Sequence, residues 1–144
     1  MRNLILACAA AFSCQLALAA DIKISEPWVK GTLESQRNST AYMELFSEEG
    51  GAIIAASSPM AQSVDLREMR FELDGRPMRP ASVNEIVFQP RKKLLLTPVT
   101  EHFALLGLKQ AIQAGDKIPL TLKLRMKNGE ERTLKVDAIV RGIR

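Results

Sequence analysis

The sequence predicts an all-β fold, in which short antiparallel strands form a sandwich or a closed barrel. Apolar and polar residues alternate over short segments, most clearly from Ile118 to Met126, which is typical of strands with one buried face. Turn-forming pairs such as Asp74-Gly75 and Asn128-Gly129 separate these segments. Only Leu106 to Ala114 has a pattern typical of a helix, and it is short. Many short strands with regular turns favour an antiparallel β-sandwich with roughly seven to nine strands.

Strand-like segments follow one another along most of the chain. The predicted strands are Ile22 to Lys30, Ser39 to Phe46, Ala52 to Ala56, Val64 to Phe71, Ile118 to Met126 and Leu134 to Val140. The last two form the clearest pair, because Asn128-Gly129 lies between them. This dipeptide predicts a two-residue turn with both residues at positive φ, which joins antiparallel strands. No repeat or linker interrupts the pattern, so the sequence indicates one domain with its own core.

The N-terminus predicts export. Residues 1–19 begin with Met1-Arg2-Asn3, continue through an apolar stretch from Leu4 to Phe12, and end in Ala17-Leu18-Ala19. This order is typical of a secretory signal peptide, and the apolar stretch is too short to span a bilayer. Cleavage after Ala19 would leave residues 20–144 as the β domain, without a stable membrane anchor. An uncleaved anchor is the alternative. A lipoprotein signal would need small residues before Cys14, and Phe12 departs from that pattern.

Composition restricts the chemistry of the exported chain. Both cysteines, Cys8 and Cys14, lie in the predicted signal peptide, so the domain would contain no disulfide and no thiolate. Soft-metal binding would then depend on methionine thioethers and the single histidine, His102. Removing Arg2 from the 20 basic residues leaves 19 against 16 acidic residues. With this small excess and few aromatic residues, nucleic-acid binding is not expected.

The sequence does not predict an enzyme. One histidine is too few to distinguish a Ser-His-Asp arrangement from chance. The acidic pairs Glu48-Glu49 and Glu130-Glu131 flank glycines and indicate exposed turns. Gly50-Gly51 is followed by neither the Lys-Ser/Thr pair nor the helix of a phosphate-binding loop. An unrecognised hydrolase is therefore the weakest hypothesis.

Several motifs, taken in order, resemble those of one known family. They are Glu26-Pro27-Trp28-Val29, Ser39-Thr40-Ala41-Tyr42-Met43, Ser57-Ser58-Pro59, Val64-Asp65-Leu66-Arg67-Glu68-Met69, Met78-Arg79-Pro80, His102-Phe103-Ala104-Leu105-Leu106-Gly107-Leu108 and Gly115-Asp116. The chain thereby resembles the PCuAC-type periplasmic copper chaperones. The resemblance implies a cupredoxin-like Greek-key β-sandwich that handles Cu(I) in the periplasm. It also implies delivery partners, either the copper site of cytochrome c oxidase or another periplasmic copper chaperone.

Only part of the family's copper motif is present. The motif has a His, a Met and a closing His-x-Met; here Met78 and His102 match, whereas Arg67 and Ala104 replace a His and a Met. Ten residues separate Arg67 from Met78, as in the family, and 23 separate Met78 from His102, two more than in the family. Met78 and His102 are therefore the candidate Cu(I) ligands. Arg67 has no lone pair to offer and would repel a copper ion.

Two functional hypotheses follow from this partial motif. The first is a copper-handling protein with a degenerate site, contributing to respiratory oxidase assembly. The second is a metal-free paralogue that keeps the fold as a partner-binding or scaffold module. We expect Met78, His102 and Arg67 to meet at one end of the fold, with a gap beside Ala104. Met43, Met60 or Met69 could replace a lost ligand, although methionines at such positions are more often core residues.

Overall fold

The structure, a computed structural model, describes residues 22–143. This part of the chain contains ten strands and no helix, so the all-β prediction is confirmed. The predicted signal peptide, residues 1–19, lies outside the described residues. The strands are β1 (Ile22–Lys30), β2 (Asn38–Ser47), β3 (Gly51–Ser57), β4 (Ala61–Arg70), β5 (Arg79–Ser82), β6 (Ile86–Phe88), β7 (Leu94–Leu95), β8 (His102–Leu108), β9 (Lys117–Met126) and β10 (Glu131–Arg141).

Seven of the strands form a closed, mixed barrel. The hydrogen-bonded order is β4-β8-β2-β1-β10-β9-β3, and the pair Ala56 and Val64 closes the ring by joining β3 to β4. β5, β6 and β7 extend the sheet from β4, β3 and β2. β1 and β10 run parallel, with Trp28 opposite Ile139. The prediction of a wholly antiparallel sheet is wrong at this pair. The two-sheet Greek-key sandwich is not confirmed, since the strands form a closed ring. The alternation in the sequence shows which residues face inwards but does not show which strands are neighbours.

The barrel encloses one hydrophobic core. Every second residue of the long strands points inwards, so Phe103 and Leu105 of β8 are buried against the inward leucines of β9. The largest fully buried side chains are Met43, Leu45, Ile53, Phe88, Phe103, Leu105, Ile112, Ile118, Leu120, Leu122, Leu124 and Met126. Burial of one such side chain contributes about 1.5–3 kcal/mol. The core side of each long strand is thereby fixed, and with it the set of residues that face outwards.

The predicted helix from Leu106 to Ala114 is wrong. Leu106 and Leu108 belong to β8, which has hydrogen-bonded neighbours on both sides, β4 and β2. The chain then turns, and Ile112 is inserted into the core, only 1% exposed. The Ile112 amide donates to Thr32 Oγ1 at 3.0 Å, and the Thr32 amide donates to the Ile112 carbonyl at 3.1 Å. Tertiary hydrogen bonds therefore override a spacing of apolar residues that also fits a helix.

The turn between β9 and β10 lies where predicted but has a different conformation. Gly129 has a φ of 89°, whereas Asn128 is not among the residues with positive φ. The Gly129 amide donates to the Met126 carbonyl at 2.8 Å, and the Met126 amide donates to the Glu130 carbonyl at 2.7 Å. These bonds indicate a turn followed by one left-handed residue, a common longer hairpin loop. The strand count also exceeds the prediction, because β5, β6 and β7 have only four, three and two residues.

Candidate metal site on the outer face of the barrel

The candidate ligand positions lie on the outer face of β4, β8 and β2. His102 and Ala104 alternate along β8 with the core residue Phe103, so they face away from the core. Paired residues on neighbouring antiparallel strands point to the same side of a sheet. Arg67 of β4 is opposite His102, and the Tyr42 ring of β2 lies 6.1 Å from the imidazole, centroid to centroid. Arg67, His102 and Tyr42 therefore form a row across three strands.

A second row of outward-facing residues lies two residues further along the same strands. Asp65 of β4 is opposite Ala104, and Ala104 is opposite Thr40 of β2. Arg67 and Ala104, the two positions that depart from the copper motif expected from the resemblance, consequently lie diagonally next to each other. The structure thus brings three of the four motif positions, Arg67, His102 and Ala104, to one place.

His102 is oriented in a way that suits a metal ligand. The side chain is only 4% exposed although it faces away from the core. Its Nδ1 lies 3.1 Å from the carbonyl oxygen of Thr100. A carbonyl oxygen accepts only, so Nδ1 carries the hydrogen, and in the neutral ring the lone pair is on Nε2. Metal-ligating histidines commonly have their second nitrogen bound to a carbonyl in this way.

Arg67 introduces a positive charge at the position opposite His102. Its Nη2 donates to Asp65 Oδ2 over 3.4 Å, a long contact with a carboxylate two residues away on the same strand. Its Nε is buried and has no hydrogen-bond partner within residues 22–143. Because a guanidinium is always protonated and offers no lone pair, this side chain opposes a bound cation.

Met78 lies farther from His102 than the other motif positions do. It is half-buried at the end of the loop between β4 and β5, just before Arg79. Arg79 is opposite Arg70, three residues beyond Arg67. At about 3.3 Å per residue, Met78 lies about 13 Å along the strand from the level of Arg67. The backbone therefore does not place Met78 beside His102, and a shared site would need both side chains to reach along β4.

Another methionine lies between these two levels. Met69 is half-buried on β4, opposite Pro80 of β5, and faces the same side as Arg67 two residues earlier. It is therefore about 7 Å along the strand from the level of His102. Met43, in contrast, is 2% exposed and belongs to the core. Met60 packs against that core and is half-buried. Among the alternatives named from the sequence, Met69 has the most suitable position.

Two concave regions are lined by neighbours of His102, one by Arg67 and Ala104 and the other by Tyr42. A groove of about 340 Å³ is lined by Lys30, Gly31, Gln36, Asn38, Ser39, Thr40, Arg67, Ala104 and Leu106. Ala104 lines this groove, so a methionine at position 104 would extend into it. A larger pocket, of about 640 Å³, is lined by Trp28, Lys30, Tyr42, Pro98, Arg141 and Gly142.

The larger pocket has an aromatic wall that the sequence did not reveal. The Trp28 and Tyr42 rings are 4.6 Å apart, and the Arg141 guanidinium lies 4.8 Å from the Trp28 centroid. Trp28 is the only tryptophan of the chain, and it lies on the outward side of β1, where an exposed strand usually carries a polar residue. A tryptophan on the outward side of a predicted strand was therefore the one feature of the sequence that could have indicated this pocket. Arg141 could be placed over Trp28 only by the parallel pairing of β1 and β10.

The remaining ligand types do not form a metal site of their own. Within residues 22–143 no three His, Cys, Asp or Glu side chains are grouped so that they could hold a metal ion. In the same part of the chain, no helix is long and apolar enough to cross a membrane.

Solved structures of copper-related domains share this fold. The copper-bound PCuAC domain from PmoF2 is 21% identical and superposes with a TM-score of 0.66, covering 86% of this chain and 96% of that domain. DR1885 from Deinococcus radiodurans is similar in its apo form (26% identity, TM-score 0.62, 99% of this chain and 94% of that one). Its CuI form is also similar (27%, TM-score 0.60, 92% and 85%).

The family assignment comes from the sequence profile. No curated protein sequence was matched. The profile of the LpqE-like lipoproteins matches residues 22–138, which is most of the chain and nearly all of the barrel. The resemblance to PCuAC domains is confirmed by the solved structures. The chain belongs to the LpqE-like lipoprotein family, a PCuAC-like family.

Proposed function

We propose that the protein is a periplasmic copper-handling protein that holds Cu(I) weakly through His102 and a thioether. The orientation of His102 carries this proposal, because the Thr100 carbonyl holds Nδ1–H and leaves the Nε2 lone pair for a ligand bond. The family, and the solved CuI form of DR1885, support it. The protein binds and transfers copper without catalysis.

The thioether ligand is Met78, with Met69 as the alternative that lies nearer along β4. Imidazole and thioether are soft enough for Cu(I), and two such donors form a minimal linear site. Arg67 opposite His102 weakens this site. Two unit charges about 4 Å apart repel by roughly 1–4 kcal/mol, depending on solvent exposure. The site therefore holds copper less tightly than a complete His/Met/His/Met set.

Export and delivery complete the proposal. Residues 1–19 act as the signal peptide and residues 20–144 remain as the periplasmic domain. A weak site without thiolates suits a protein that passes its metal on. The receiving partner is the copper site of cytochrome c oxidase or another periplasmic copper chaperone, and the role is in respiratory oxidase assembly.

Competitive Cu(I) titration against a chromophoric chelator tests this proposal. His102→Ala should abolish binding, and Met78→Ala or Met69→Ala should weaken it at least about tenfold, the equivalent of 1.4 kcal/mol. Met60→Ala is the control, because Met60 packs against the core. The double variant Arg67→His with Ala104→Met should tighten binding markedly. If the His102 and methionine variants bind like the parent and the double variant gains nothing, copper is held elsewhere or not at all.

The second candidate function is a metal-free partner-binding or scaffold module. The observation in its favour is Arg67, which occupies the position opposite His102 and has one buried nitrogen without a partner. The same titration separates the two functions. If the parent protein binds no Cu(I) while the double variant does, the fold is intact and the metal function is lost.

A further inference from the structure

We propose that the groove between Arg67 and Lys30 binds a small anion through a carboxylate or phosphate group. The proposal concerns the place where the copper motif is interrupted, but it does not depend on copper binding. The groove is the concave region of about 340 Å³ beside Ala104.

The charge of the lining favours an anion. Arg67 and Lys30 contribute two positive charges, and Gln36, Asn38 and Thr40 add neutral polar groups. Among the described residues that line the groove, none carries a carboxylate, although Asp65 lies beside it, opposite Ala104 and paired with Arg67. The neighbouring aromatic pocket shares Lys30 and adds Arg141. A concave surface with charges of one sign concentrates ions of the opposite sign.

The hydrogen bonding of Arg67 is incomplete. Among the described residues, Asp65 is the only one whose carboxylate bonds to it, at 3.4 Å from Nη2, and the buried Nε has no partner there. A guanidinium offers five N–H donors in a planar fork that matches a carboxylate or phosphate. A small rotation of the guanidinium towards the groove would let Nε and an Nη donate together to one oxyanion. The bound anion would thereby satisfy a nitrogen that the protein leaves unpaired.

A second donor faces the groove from the opposite side. Asn38 Oδ1 accepts a hydrogen bond from the Gly107 amide at 3.2 Å, so the oxygen of this side chain is already used. Its Nδ2 hydrogens are donors and suit an anion. The Ser39 hydroxyl, in contrast, donates to the Lys30 carbonyl and so links β2 to β1.

The small side chain of Ala104 provides the space. Ala104 is 3% exposed and lines the groove together with Arg67. Ligand pockets usually have volumes of about 300–1,000 Å³, so the groove is at the small end of that range. A metabolite of a few carbon atoms, or inorganic phosphate, fits such a site, and a larger side chain at position 104 would fill it.

NMR titration of the purified, copper-free protein tests the proposal. Succinate and inorganic phosphate are added separately at constant ionic strength, and choline serves as a cation control. We expect saturable shifts of the amides around Thr40, Ala104 and Arg67 with at least one anion and none with choline. The anion that saturates at the lower concentration identifies the group that the site prefers.

Matched variants locate the site. Arg67→Gln and Lys30→Gln should each weaken binding at least about fivefold, through loss of a charge-assisted hydrogen bond. Arg70→Gln removes the same charge from the same strand, but its side chain points to the other side and is paired with Glu68, so binding should not change. Ala104→Leu changes no charge and should abolish binding by filling the groove. Thermal unfolding of each variant checks that it is folded.

Three results would overturn the proposal. The first is the absence of saturable shifts with either anion. The second is equal weakening by Arg67→Gln and Arg70→Gln, which would indicate charge screening over the whole surface. The third is unchanged binding in folded Ala104→Leu. All of these measurements are made without copper. A negative result would therefore reject the anion proposal and leave the copper proposal untouched.

Discussion

At the scale of single residues, the orientation of His102 depends on the turn that precedes it. The Thr100 carbonyl that accepts from Nδ1 belongs to a turn in which the Thr97 amide donates to Thr100 Oγ1 at 2.9 Å. The Thr100 amide in turn donates to the Thr97 carbonyl at 3.2 Å. Two threonines therefore hold the carbonyl that selects the tautomer of His102.

Replacing Thr100 with valine should loosen this turn. The variant keeps the shape of the side chain but removes the oxygen that accepts from the Thr97 amide, so we expect a loss of about 1 kcal/mol in the free energy of unfolding. Urea unfolding measures this loss. Thr133→Val, on the exposed side of β10, is the control and should change stability by less than about 0.5 kcal/mol. Equal effects of the two substitutions would argue against a role for the turn.

Gly51 is required by close packing. A Cβ at this position would lie 2.6 Å from the Arg125 carbonyl oxygen and 2.7 Å from Phe88 Cζ. The first of these atoms is backbone of the neighbouring strand β9, so it cannot move aside cheaply. Gly51→Ala should therefore lower the free energy of unfolding by about 1–3 kcal/mol.

Gly142→Ala is the matched control for Gly51→Ala. A Cβ there would meet only Ala114 Cβ, at 3.9 Å, which is ordinary contact. The two alanine variants should therefore separate clearly in thermal unfolding, with the Gly142 variant close to the parent protein. A Gly51 variant as stable as the Gly142 variant would show that β3 and β9 can move apart at little cost.

At the scale of elements, the hairpin of β4 and β5 determines where Met78 lies. Glu72, only 18% exposed, pairs with Arg76 at 3.4 Å and also with Arg79. The loop around it leaves Phe71 and Leu73 exposed to solvent. Apolar packing therefore contributes little at the hairpin tip, and ion pairs centred on Glu72 hold the segment that carries Met78.

Removing Glu72 should loosen the hairpin tip locally. In Glu72→Ala, amide hydrogen exchange around residues 71–79 should become faster, with a loss of about 1–2 kcal/mol in local stability because the carboxylate is mostly buried. Glu131→Ala is the control, because Glu131 forms an exposed pair with Lys123, and such pairs contribute about 0–1 kcal/mol. Unchanged exchange at the tip in Glu72→Ala would mean that these ion pairs do not hold it.

At the scale of the whole molecule, the closed barrel surrounds one core. Seven strands complete the ring, and the inward residues of all of them contact the same hydrophobic cluster. β1 and β10, from opposite ends of the described chain, are neighbours in the ring. Detaching any one of these strands would therefore expose the shared core to water.

Unfolding should accordingly be two-state. Fluorescence of Trp28, the only tryptophan, reports on the outer face of β1, and far-UV circular dichroism reports on all strands. In urea, the two transitions should coincide. Leu122 is fully buried, so Leu122→Ala should lower the free energy of unfolding by about 2–5 kcal/mol. Both signals should report the same loss. Separate transitions for the two signals would show that the face carrying the candidate site unfolds independently of the core.

Alternation in the sequence was enough to predict most of the long strands and the residues of these strands that face the core, but it missed β8, whose end was predicted as a helix. β1 has the predicted bounds, from Ile22 to Lys30, because its alternation is a local property of neighbouring residues. The motifs also identified the family. Very short strands such as β7 remained undetected, because two residues carry no periodicity.

How these positions meet depends on the packing of distant strands. Hydrogen bonding between distant strands put Arg67 opposite His102, left Met78 at the far end of a hairpin, and made β1 and β10 parallel. It also opened the groove beside Ala104 and brought Arg141 over Trp28. The physical reason is that register and strand order depend on pairing between residues far apart in the chain, which a local pattern of alternation does not encode.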